Sequence, residues 1–90
     1  MLNQIVMVGR FTKIVNENTI EVKINSNDKD LLNEYYFINI TVADEIMKNI
    51  KSLVKENSVI GIKAFIKSNQ NKEIEIKAEK ISFLSPSREV

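Results

Sequence analysis

No cysteine, histidine or tryptophan occurs among the 90 residues. Without cysteine there is no disulfide framework and no thiolate metal site, and without histidine the commonest metal ligand and the commonest general base are both missing. Enzymatic chemistry would rest on carboxylates, lysines or hydroxyls, and no metal or cofactor is expected. No segment approaches the roughly 20 apolar residues that span a bilayer. Met1 is not followed by the basic start and apolar stretch of a secretion signal. The chain therefore reads as cytoplasmic, without a membrane partner. An excess of one charge is also lacking: 13 Lys and Arg stand against 12 Asp and Glu, a net charge of +1. Attraction to nucleic acid must then come from where cations are placed rather than from a strongly basic whole. A chain of this length makes one small domain that buries only roughly 60 to 65% of its unfolded surface, so its core is thin and self-association would help it.

What is present is period-two patterning. In "LNQIVMVGRF", Ile5, Met7, Gly9 and Phe11 alternate with Gln4, Val6, Val8 and Arg10. Apolar residues in both sets predict a strand covered on both faces over part of its length. Gly9 predicts a bend or bulge, and both it and Gly61 read as accommodations of backbone in a curved barrel. "KIVNENT" supplies turn residues, "TIEVKI" turns Ile20, Val22 and Ile24 inward, and "NSNDKDLLNE" is an Asn/Asp-rich loop. In "EYYFINITV", Tyr36, Ile38, Ile40 and Val42 form a core set, whereas Tyr35, Phe37, Asn39 and Thr41 turn two large aromatics toward water. "ADEIMKNIKSLVKEN" changes period: Ile46, Met47, Ile50, Leu53 and Val54 recur at spacings of three and four, with Asp44 as N-cap and Lys51 and Lys55 near the C-terminal end. "SVIGIKAFIKS" sets Ile60, Ile62, Ala64 and Ile66 inward and Lys63, Phe65 and Lys67 outward. "NQNK" is a hairpin turn. "EIEIKAEKISFL" places Ile74, Ile76 and Ala78 inward and returns Ile81 and Phe83 to the core. Residues 1–85 form one domain and residues 86–90 a loose end.

Three strands, one helix and two strands predict a mainly β fold, a five-stranded Greek-key barrel of the OB type with the helix between strands 3 and 4. Its outward positions combine aromatic rings with cations. That is the pairing a single nucleic-acid strand needs, because ring faces stack on bases of any identity, at about 1–3 kcal/mol per base, while lysines meet phosphates. The candidate binding residues are Tyr35, Phe37, Lys63, Phe65 and Lys67, with Lys23 and Arg10 extending the basic side. Each has a plainer reading: the aromatics pack in a subunit interface or under the Asn/Asp-rich loop, and the lysines are solvated surface.

The opening "MLNQIVMVGRFTK" resembles the first strand of bacterial single-stranded DNA-binding proteins, with a Leu-Asn pair, alternating aliphatics, a glycine and then a large apolar residue. "YYFINITV" is similar to their third strand, and "SVIGIKAFIKS" and "EIEIKAEKISFLS" to their fourth and fifth. The resemblance implies an OB barrel, homodimers or homotetramers built partly through the first strand, and sequence-tolerant binding of single-stranded DNA in replication, recombination or repair. It also implies association with the nucleoid and with replication proteins. Phe37 falls where the family places a stacking aromatic.

Several family features are absent. A second aromatic commonly lies six residues beyond Phe37, where this chain has Ala43, and "KINSND" and "SNQNKE" carry none. Fewer platforms imply weaker binding or a shorter site. The family's long acidic-tipped extension does not follow "SPSREV": either the sequence is a shortened form, or it resembles the short primosomal and mobile-element relatives. Two other functions compete with DNA binding. One is a protein-docking OB barrel of a replication or primosome complex. The other is a carboxylate hydrolase using Glu73, Glu75 and Glu79, which alternate beside Lys77 more in the manner of a solvated strand face.

Overall fold

A computed structural model describes residues 3–25, 35–68 and 70–85. The elements are β1 (Ile5–Asn16), β2 (Thr19–Asn25), β3 (Tyr35–Thr41), α1 (Asp44–Leu53), β4 (Val59–Ser68) and β5 (Ile74–Ser85). The strands close into a barrel in the order β1-β2-β3-β5-β4, antiparallel throughout except where β3 meets β5 in parallel. This is the expected OB-type barrel with its helix between the third and fourth strands. Of the expected loop over residues 25–34, Asn25 ends β2 and residues 26–34 lie outside the described residues, as do the first residue of "NQNK" and the loose end over residues 86–90.

β1 serves two neighbours in succession. Ile5 to Arg10 pair with β4, and Arg10 to Asn16 pair with β2. Gly9 stands at the changeover. A Cβ there would lie 2.6 Å from both Ile24 Cδ1 and Val22 Cγ1 and 2.8 Å from the Lys23 carbonyl oxygen. Close approach of β2 requires this glycine; the register shifts lie farther along, between Phe11 and Lys13 and between Ile14 and Asn16. The strand also runs longer than expected, through "KIVN", so the turn shrinks to Glu17 and Asn18. The Asn16 side-chain oxygen accepts the Asn18 N–H at 3.0 Å, the local bond that lets so short a turn form.

The core is Phe11, Ile20, Val22, Ile40, Val42, Ile60, Ile62, Ala64 and Ala78 from the strands, with Met47 and Ile50 from α1. The helix is set down by Met47 and Ile50, with Ile46 and Val54 against the core, as its spacing predicts; Leu53, expected in the same stripe, is exposed. Its cap differs from expectation: the N-cap is Ala43 with no side-chain bond, and Asp44 lies inside the first turn, where its charge still complements the helix dipole. At the other end the Val54 N–H donates to the Ile50 carbonyl and the helix stops at Leu53, short of Lys55.

Some residues expected in the core are not covered. Tyr36, Ile66, Ile74 and Phe83 are all exposed. For the first three the reason is geometric: the β2–β3 ladder continues past Lys23 and the β4–β5 ladder past Ala64, where β1 no longer pairs. The ends of both hairpins overhang the barrel, so among the described residues a side chain in the inward phase there finds little to cover it. Phe83 lies across from Ile60 near the end of β5 and is exposed to the same degree as Ile66. On β1 the second face, expected to be covered, is open within the chain: Val6 is 76% and Val8 58% exposed.

Candidate nucleic-acid interface

Strand register gathers one group of outward side chains. Arg10 pairs with Lys23, and Lys23 pairs with Phe37, so three adjacent strands present a guanidinium, an ammonium and a phenyl ring in a single row. Tyr35 sits one outward step farther along β3, opposite Asn25. The Lys23 ammonium lies 3.9 Å from the centroid of its ring. That contact covers one face of Tyr35 with a cation and fixes both side chains. Phe37 is 61% exposed, a large apolar area left in water at the β3 end of the row.

The surroundings of the row are polar. Arg10 Nη1 donates to the Asn57 carbonyl at 2.9 Å, outside the strands altogether. The Thr12 hydroxyl lies 2.9 Å from the Glu21 carbonyl oxygen and 2.8 Å from its Oε1, holding that carboxylate on the outward face of β2, two residues from Lys23. Beside the row a groove of about 480 Å³ opens where β1 and β2 part, lined by Val6, Val8, Arg10, Lys23, Ile24 and Asn25 among others. Asn57 and Glu21 escape a reading by residue type, since one acts through its backbone and the other is an acid in a basic row. The register reveals Glu21, and the hydrogen bond from Arg10 reveals Asn57.

The β4 candidates form a separate group. Phe65 pairs with Lys77, and Lys77 with Thr41 of β3. Thr41 is four residues, roughly 13 Å, along the strand from Phe37. Phe65 is half-buried. Lys63 stands opposite Lys80, and its ammonium is 4.0 Å from Glu79 Oε2, an ion pair exposed enough to be weak. Lys67 stands across from Glu75. The expected site is therefore two groups: Arg10, Lys23, Tyr35 and Phe37 come together, while Lys63, Phe65 and Lys67 share a different stretch of surface. Among the described residues no three His, Cys, Asp or Glu side chains are grouped to hold a metal. Glu75 and Glu79 are interleaved with lysines, as on an ordinary charged strand face.

No family model matches the chain, and no curated protein matches it by sequence. Solved structures do match. The crystal structure of the mitochondrial single-stranded DNA-binding protein Rim1 from S. cerevisiae superposes with a TM-score of 0.71 at 16% identity, covering 99% of this chain and 100% of that one. A second crystal form of Rim1 gives a TM-score of 0.72 at 18% identity over 97% and 99% of the two chains. The fold is that of single-stranded DNA-binding proteins. The small single-stranded DNA-binding protein from Streptomyces coelicolor agrees, with a TM-score of 0.68 at 11% identity over 92% of this chain and 94% of its own. Backbone shape is conserved across this set where sequence is not, so the likeness speaks for the barrel and the row speaks for the site.

Proposed function

We propose that this chain binds single-stranded DNA without chemistry and with little sequence preference. The observation that carries the reading is the row formed by Arg10, Lys23 and Phe37 with Tyr35 beside it. An exposed ring offers a face to any base, and the two cations beside it in the row meet phosphates of the same strand. The proteins whose fold it shares are single-stranded DNA-binding proteins, which supports the same reading. Acting on exposed single strands, it would serve replication, recombination or repair, in the cytoplasm at the nucleoid. It would do so as a homodimer or homotetramer joined through β1 and in company with replication proteins.

A docking role toward protein is the second reading, favoured by the near-neutral net charge and by the exposed Val6 and Val8. Fluorescence-anisotropy titration of labelled oligo-dT at two salt concentrations, with duplex of equal length as competitor, separates the two. Salt-sensitive binding at micromolar concentration or tighter, resistant to duplex, is the expected result. No binding at low salt overturns DNA binding and leaves the docking role.

A further inference from the structure

Arg10 is held by a segment that belongs to neither the row nor the sheet face. After α1 the chain makes a tight turn in which the Ser58 N–H donates to the Lys55 carbonyl at 3.0 Å, and the Ser58 Oγ accepts the Lys55 N–H at 3.1 Å. Ser58 is buried. This turn is clamped to β1 by two backbone bonds, Asn57 N–H to the Phe11 carbonyl at 2.8 Å and Phe11 N–H to the Ser58 carbonyl at 2.9 Å. Asn57 has φ 71°, a left-handed conformation that asparagine and glycine adopt and β-branched residues avoid. The same conformation belongs to the residue whose carbonyl receives Arg10 Nη1.

Resting on the DNA-binding reading, we infer that Asn57 is a positioning residue for that site: its left-handed backbone aims a carbonyl that holds one arm of the Arg10 guanidinium and presents the rest of the fork to a phosphate. A guanidinium carries five N–H donors in a rigid plane, so anchoring Nη1 leaves Nη2 and Nε as donors whose direction is already set. A lysine at position 10 would have a single nitrogen for both tasks. The helix-to-β4 turn thus becomes part of the binding site although none of its own side chains joins the row.

The test is oligo-dT titration across a salt series for the wild type and for Asn57→Gly, Asn57→Val, Arg10→Ala, Arg10→Lys and Arg10→Ala/Asn57→Val. Asn57→Gly keeps the left-handed turn and binds like the wild type. Asn57→Val loses several-fold in affinity, and its log–log salt slope falls in magnitude by about 0.7, the value of one phosphate contact on a single strand. In the Arg10→Ala background Asn57→Val has no further effect on binding, even where it lowers the melting temperature, which separates positioning from mere stability. Arg10→Lys keeps the charge yet binds nearly as weakly as Arg10→Ala, a comparison that does not depend on the turn variant folding. The inference is overturned if Asn57→Val binds with wild-type affinity and slope, if its loss persists undiminished in the Arg10→Ala background, or if Arg10→Lys binds like the wild type. Absence of binding by the wild-type chain itself overturns the DNA-binding reading, and this inference with it.

Discussion

Phe37 is the residue on which the DNA-binding reading depends most. It keeps 61% of its surface in water at the end of a row whose other two members are cations. If the ring stacks on a base, Phe37→Ala costs about 1–3 kcal/mol, roughly five- to 150-fold in affinity, with similar losses on oligo-dT and mixed sequences. Because the ring contributes little to the core, the melting temperature should hardly move. Titration paired with thermal unfolding checks both, and full affinity in Phe37→Ala removes the residue from the site. Glu21 carries the opposite sign. Its carboxylate, tied down by Thr12, sits two residues from Lys23 on the face that phosphates must approach. Glu21→Gln keeps an amide oxygen for Thr12 and removes the charge, so binding should tighten at low salt and the gain should fade as salt rises. Unchanged affinity at low salt would place Glu21 away from the phosphate path.

At the scale of elements, β1 decides the geometry, and Gly9 decides β1. An added methyl would meet two side chains at 2.6 Å and a backbone carbonyl at 2.8 Å, and the carbonyl cannot move unless β2 does. Gly9→Ala is therefore expected to destabilise the fold by about 1–3 kcal/mol, the range for overpacked interiors. At Gly61 the nearest atom is a Leu84 methyl at 3.3 Å, the end of a flexible chain, so Gly61→Ala should cost clearly less. Thermal melts of the two variants give the comparison, and equal costs would mean that β2 yields freely. The five strands and the helix are legible in the sequence because alternation and the three-and-four spacing are local properties. The row is less so. Arg10, Lys23, Tyr35 and Phe37 are each recognisable as outward residues, yet which of them meet depends on register shifts between Phe11 and Lys13 and between Ile14 and Asn16 that alternation does not reveal. The same limit explains Tyr36, whose inward phase is real but whose covering strand has ended.

For the whole molecule the open question is what covers the first half of β1. Along Ile5 to Val8 that strand pairs with β4 on one edge, and the β2 ladder begins only at Arg10, so among the described residues no strand is paired to the other edge. Val6 and Val8 stand exposed on the outward face, and Leu84 of β5 is 55% exposed near them, all three lining a shallow apolar depression of about 280 Å³. An open edge next to exposed valines invites a second strand of like sequence, and a two-fold pairing of β1 with its copy would satisfy the backbone and cover the side chains at once. These side chains alone fall short of the ~800 Å² per partner of a stable interface, so backbone pairing has to contribute as well. The chain is accordingly expected to be a homodimer or homotetramer in solution, and Val8→Glu to shift it toward monomer by placing a carboxylate where the copy would pack. Sedimentation across a concentration series reads the mass directly. A mass of 10.3 kDa for the wild type at high concentration would refute association. A Val8→Glu variant that associates like the wild type would move the interface off this face of β1.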